Sequence, residues 1–126
     1  MKVVIDTNVI VSALLSAQGK PATILEMFFN EEMQIYYSAN ILAEYEDVLY
    51  RPALNIKPEK AKRFFQILNN TGTSIEPTAS NIPLPDEDDR IFYDTAIQSE
   101  AILITGNIKH YPAKDFIMTP SEFLDM

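Results

Sequence analysis

The sequence predicts an α/β sandwich built around a mostly parallel sheet. Three observations carry that expectation. Short β-rich apolar runs recur along the chain, segments of helical periodicity separate them, and polar residues stand where the runs end. The chain has 126 residues and is read as one domain, residues 1–126, able to bury roughly 65% of the surface its unfolded form exposes.

The elements follow in order. Lys2–Ile5 is the first strand, and residues 8–16 read as a helix. Pro21 suits the first turn of the next helix, which carries Ile24, Leu25, Phe28 and Phe29 at helical spacing. Residues 33–37 form a second strand, after which Ser38 caps a helix running to about Tyr50. Pro58 opens another helix whose apolar positions are Phe64, Phe65, Ile67 and Leu68, with Gly72 as its terminator. A third strand over 73–76 leads into the proline-rich loop 77–87. Asp88 and Asp89 start the next helix, where the macrodipole favours acids. Residues 101–105 are a strand ended by Gly106, 116–118 are the last strand, and Thr119-Pro120 starts a short terminal helix. In such a sheet the ligand site lies outside the carboxyl ends of the strands. Asp6, the Asp88-Asp89 pair and Asn107 all fall near those ends.

Composition narrows the function. Hydrophobic residues make up 47% and charged residues 22%, a globular balance. The chain has no cysteine, which excludes disulfides, thiolate zinc sites and thiol nucleophiles. No apolar run approaches the ~18 residues a membrane span needs, and Asp6 interrupts the first one too early for a signal peptide. The expected compartment is the cytoplasm, with no membrane partner. The net charge of −8 argues against a stand-alone nucleic-acid binder. It argues less against a metallonuclease, because a bound divalent cation supplies local positive charge.

The acids therefore decide the chemistry. Asp6 closes the first strand, as either the cap of the following helix or a ligand at the mouth of a central strand. Glu44 lies at the edge of a stripe formed by Ile41, Leu42, Tyr45, Val48 and Leu49, where a carboxylate is costly unless paired. Glu46 flanks the opposite edge, so helix geometry alone does not choose between them, while Asp47 points to solvent. Asp89 projects near the middle of a buried face expected from Phe92, Tyr93, Ala96 and Ile97. Asp94 lies on the other side, where a surface ion pair with Arg90 is the simpler reading than function. Asp86, Glu87 and Asp88 read as a solvated acidic loop, Asp88 being the nearest substitute for Asp89. Carboxylates meeting at a strand-end cleft suit Mg²⁺ or Mn²⁺ and in-line hydrolysis of a phosphodiester. The single histidine, His110, stands in the loop 107–112 and is read as exposed and incidental; Lys109 beside it is a candidate phosphate contact.

Taken in order, these segments resemble the PIN-domain family, nuclease-like domains often found as toxins of bacterial toxin–antitoxin pairs. Residues 4–16, opening Val4-Ile5-Asp6-Thr7-Asn8, are similar to its first motif. Residues 38–52, opening Ser38-Ala39-Asn40-Ile41-Leu42-Ala43-Glu44-Tyr45, are similar to the second and select Glu44 over Glu46. Asp86-Glu87-Asp88-Asp89-Arg90-Ile91-Phe92-Tyr93-Asp94 resembles the third, with Asp89 at the acidic position. Ile102-Leu103-Ile104-Thr105-Gly106-Asn107 resembles the fourth, and Thr119-Pro120-Ser121-Glu122-Phe123-Leu124 a common ending of the toxin branch.

The resemblance implies a PIN-like three-layer α/β/α sandwich and a Mg²⁺- or Mn²⁺-dependent endoribonuclease acting on single-stranded RNA. It implies Asp6, Glu44 and Asp89 as metal ligands, Asn107 as a fourth site residue, and supporting places for Thr7, Asn8, Ser12 and Thr105. An antitoxin protein and a homodimer are the partners it implies; Lys57, Lys60, Lys62 and Arg63 are candidate RNA contacts, a solvated helix face being the commoner reading of such a cluster. One departure stands out: the family often has Asp where this chain has Asn107, which weakens the charge of the site.

Two other classes compete. A degenerate, catalytically weak or inactive module that binds RNA or a protein would fit Asn107 and the acidic charge. A receiver domain or a haloacid-dehalogenase-like phosphatase fits less well. The first wants a phosphoacceptor Asp ending a middle strand, where Tyr37-Ser38 stand; the second wants an acid two residues after Asp6, where Asn8 stands.

Overall fold

A computed structural model describes all residues, 1–126. Its five strands are β1 (Lys2–Ile5), β2 (Gln34–Tyr37), β3 (Thr73–Ser74), β4 (Ile102–Ile104) and β5 (Ile117–Met118). They form one sheet in the order β3-β2-β1-β4-β5, and every pairing is parallel. The helices are α1 (Thr7–Leu15), α2 (Lys20–Phe29), α3 (Ala39–Leu49), α4 (Pro58–Thr71), α5 (Arg90–Ser99) and α6 (Pro120–Leu124). They flank the sheet in an α/β/α sandwich, with α2 packed on α1 and α6, α4 on β2, and α5 over β1, β2 and β4.

The central strands are apolar because both their faces are covered. Val3, Val4, Ile5, Ile35, Leu103 and Ile104 have no exposed surface. Between the helices runs a chain of rings: Phe28 of α2 meets Phe64 of α4 at 6.4 Å, Phe64 meets Tyr45 of α3 at 5.7 Å, and Tyr45 meets Phe92 of α5 at 6.4 Å. This line of aromatic contacts fixes α3 and α5, the two helices that carry Glu44 and lead from Asp89.

Local signals act as expected at several ends. The Ser38 side chain accepts from the Ile41 amide at 3.2 Å, and Thr119 with Glu122 forms a complete capping box. Gly72 does end α4, but through close approach rather than a left-handed turn. Its φ is −77°, and a Cβ there would lie 2.6 Å from the Leu68 carbonyl oxygen.

Two expectations about α5 are corrected. Ile97 is 45% exposed rather than part of the buried face, whereas Asp94 is buried rather than at the surface. The reason lies outside the helix. The segment following β3 passes over α5, the Ser80 amide donates to Asp94 Oδ2 at 3.2 Å, and Arg90 donates to the carbonyls of Ser80 and Ile82. A loop held this way buries the helix flank that periodicity assigned to solvent. Asp88 and Asp89 also belong to a 3-10 turn, Glu87–Asp89, that leads into α5.

Candidate active site

In a parallel sheet all strands release their chains at one edge, and three polar residues follow directly there: Asp6 after β1, Ser38 after β2 and Thr105 after β4. Asp6 occupies the cap position of α1 yet makes no capping bond. Its Oδ2 instead accepts from the Thr105 hydroxyl at 2.8 Å and the Tyr111 hydroxyl at 3.1 Å, in a buried setting. The alternative of a simple helix cap is thereby set aside. Thr105 Oγ1 in turn accepts from the Asn107 amide at 3.0 Å, so Asn107 is tied by its backbone two bonds away from Asp6.

Glu44 is half-buried on α3 and accepts from the Thr7 hydroxyl, the first residue of α1. Glu46 is exposed, and Asp47 pairs with Arg51 at 2.7 Å on the surface. Directly after Ile5, whose carbonyl accepts from the buried Tyr45 hydroxyl, the chain turns into Asp6. Tyr45 therefore ties α3 to the end of β1 and so locates Glu44 relative to Asp6.

Asp89 completes the group from the 3-10 turn. Burial first, then the negative charges of Asp6 and Asp86, raise its carboxyl from 3.8 to about 6, partly offset by His110. Its Oδ2 is buried and has no hydrogen-bond partner; the nearest counter-group is His110 Nδ1 at 3.3 Å. Asp86, Asp89 and His110 each bring a ligand-type atom within 4.8 Å of the others. Asp6, Asp89 and Glu44 together bear on the Tyr111 hydroxyl, which burial, and then Asp6, pushes well above the usual phenol range. The three acids singled out in the sequence thus share one electrostatic neighbourhood.

The remaining expectations divide. Thr7 and Thr105 touch the carboxylates, while Asn8 and Ser12 are exposed and bond to none of them. Asp88 is exposed, and only its amide is engaged, by Asp86 Oδ1 at 3.0 Å; Asp94 is committed to Ser80 and Arg90. The basic residues of α4 do not gather at the acids. Lys60 Nζ reaches the Leu14 carbonyl in the last turn of α1, and Arg63 lies 4.6 Å from the Phe29 ring. Leu14 is seven residues from the start of α1, about 10 Å along the axis, and Lys57 and Lys62 are exposed. Lys109 is exposed in the turn Ile108–His110 and is adjacent to the site.

Two residues escaped the sequence reading. Tyr111 was not singled out, and His110 was expected to be incidental. Both stand beside the carboxylates because a single 3-10 turn after β4 folds the loop back toward Asp6 and Asp89. The available signal was positional: any polar side chain just beyond Thr105 lies at the carboxyl edge of the sheet.

The donor set is oxygen-rich and short of positive charge, and a buried, unpartnered carboxylate oxygen is costly. These features fit a hard divalent cation at Asp89, where Asp86 and His110 bring further ligand-type atoms. No helix is long and apolar enough to cross a membrane.

Known proteins bear on the same arrangement. The backbone is similar to that of a chain in the crystal structure of VapBC2 from Rickettsia felis bound to a DNA fragment from their promoter. The TM-score is 0.57 with 21% identity, covering 94% of this chain and 97% of that one, and likeness at this identity speaks for the fold. An uncharacterized protein of Methanocaldococcus jannaschii is 37% identical over 110 residues, spanning 85% of this chain and 71% of that protein. A family model for the PIN domain matches residues 2–109, a span that includes Asp6, Glu44, Asp89 and Asn107. On that match the chain belongs to the PIN domain family, whose members are generally nucleases.

Proposed function

We propose that this chain is a Mg²⁺- or Mn²⁺-dependent endoribonuclease acting on single-stranded RNA, with residues 1–126 working as one domain. The observation that carries the reading is the buried Asp89 Oδ2, which makes no hydrogen bond and has only His110 at 3.3 Å beside it, in a carboxyl that also feels the charge of Asp6. Asp6, Glu44 and Asp89 would hold the ion. When bound, it would neutralise charge on the attacked phosphate and acidify a coordinated water.

The chain's own groups do the rest. Thr105 and Tyr111 keep Asp6 oriented, and Thr7 does the same for Glu44. Asp89, with its carboxyl raised to about 6, is the group whose deprotonation sets the lower pH limit of a competent site. Lys109, exposed beside it, is the basic side chain best located to meet a substrate phosphate. The α4 basic residues contribute at most through the distant end of α1.

Membership in the PIN family and the likeness to a VapBC2 chain support a toxin role, with an antitoxin as a natural partner and a homodimer as a further assembly. The second reading, a weak or inactive module binding RNA or protein, draws on Asn107, a neutral amide where the family often has an acid. Incubation with a mixed single-stranded RNA pool in Mg²⁺, Mn²⁺ or EDTA separates the two. Metal-dependent cleavage that disappears in Asp89→Asn is the expected result. Metal-independent RNA binding without cleavage would favour the second reading.

A further inference from the structure

We propose that Tyr111 is a positioning residue for the metal centre, acting with Thr105 to fix the Asp6 carboxylate from the loop after β4. This inference rests on the metallonuclease reading above.

The geometry is specific to one oxygen. Thr105 from the end of β4 and Tyr111 from beyond the following turn both donate to Asp6 Oδ2, at 2.8 and 3.1 Å. Oδ1 makes no hydrogen bond. Two donors arriving from different segments stop the carboxylate from rotating about its own axis. One oxygen becomes the anchor, and the other is left for a ligand. Tyr111 is itself only 5% exposed, so water does not compete for the bond. A phenylalanine would pack in the same space, so the hydroxyl is not needed to fill the core.

Partners of this kind, one bond removed from a metal ligand, typically set affinity or activity by roughly 10- to 100-fold. Calorimetric titration of Mn²⁺ into the wild type, Tyr111→Phe, Asp6→Asn and the double variant tests the idea without relying on activity. The expected result is a Kd for Mn²⁺ raised roughly 10- to 100-fold in Tyr111→Phe, with no further change when Tyr111→Phe is added to Asp6→Asn. RNA cleavage by Tyr111→Phe should fall at low Mn²⁺ and recover at high Mn²⁺.

Unchanged Mn²⁺ affinity in a folded Tyr111→Phe, or additive losses in the double variant, would overturn the proposal. If Tyr111→Phe alone fails to fold while the double variant folds, the coupling through Asp6 stands. If both fail to fold, Tyr111 is a packing residue and the proposal is wrong. A wild type that neither binds Mn²⁺ nor cleaves RNA sinks the metallonuclease reading and this inference with it. A competent wild type matched by Tyr111→Phe sinks the inference alone.

Discussion

Asp6 and Asp89 lie near enough for one charge to raise the carboxyl of the other, but they are held in opposite ways. Asp6 is buried and anchored at one oxygen, where two hydroxyls donate to Oδ2. Asp89 is partly buried and unsatisfied, with an orphaned Oδ2 and a carboxyl raised to about 6. The first corner is fixed by two hydroxyl donors; at the second only His110 offsets the burial of the charge. A site built this way has a rigid half that defines position and a strained half whose stability depends on what binds.

The comparison predicts opposite effects from removing each charge. Asp89→Asn should abolish metal-dependent RNA cleavage by more than about 100-fold, beyond what losing a mere supporting partner costs. The same variant should melt at a higher temperature than wild type without metal, because it deletes a carboxylate that burial disfavours. Asp6→Ala should also abolish cleavage but should destabilise the metal-free chain, by about 1–3 kcal/mol, since it strands the buried Thr105 and Tyr111 hydroxyls. Melting curves in EDTA check both signs. Parallel changes in the two variants would break the distinction.

The pH dependence sharpens it. Asp89 binds its proton more tightly folded, near 6, than unfolded, near 3.8. Its contribution to stability is therefore fully present below about pH 4 and is lost as pH rises through about 6. The metal-free wild type should lose stability across that window relative to Asp89→Asn, and run parallel to it above. Divalent-metal affinity should run the other way, falling about tenfold for each pH unit below 6, because one proton must leave Asp89. A flat difference between the two chains over pH 4–6 would show that Asp89 titrates normally.

The fold was largely legible because its signals are local. Apolar runs bounded by polar residues, the Ser38 cap and the proline starts at Pro21 and Pro58 place each strand and helix within a residue or two. Asp6 was legible because it ends a strand, Glu44 from the edge of its apolar stripe together with the second-motif resemblance, and Asp89 from its place on the α5 face and in the third motif. What escaped depends on where loops travel. Asp94 was assigned to solvent because nothing in its helix period announces that Ser80 and Arg90 would close over it. His110 and Tyr111 were missed because their roles arise from a turn that reverses the chain after β4, a tertiary event with no periodic signature. The placement of the α4 basic residues was also not legible: composition shows positive charge, but not that Lys60 reaches the Leu14 carbonyl at the far end of α1 and Arg63 the Phe29 ring.

His110 tests how far the strained corner is already relieved. It stands 3.3 Å from the orphaned oxygen and holds the Asp89 carboxyl lower than burial alone would leave it. His110→Ala should therefore move the Asp89 transition to higher pH, visible as a stability window extending above pH 6 in metal-free melting curves. It should leave the Asp6 corner untouched. An unshifted window would mean that the contact carries no electrostatic weight.

Asn107 is the smallest lever and bears on both corners. Its amide is tied to Thr105, the residue that also anchors Asp6, so an acid introduced there joins the rigid half without rearranging the backbone. Asn107→Asp adds a negative charge to a neighbourhood that already holds Asp6, Asp89 and Glu44. Without metal, repulsion should lower the melting temperature and raise the Asp89 carboxyl further. With Mn²⁺ present the same charge becomes attractive, and affinity should rise several-fold, on the order of the 1 kcal/mol expected for a partly solvated charge pair. A chain that loses stability in EDTA but gains Mn²⁺ affinity would place residue 107 within the field of the cation. Turnover that rises in step would identify the missing charge as what limits the proposed activity; affinity and turnover both unchanged would remove Asn107 from the site.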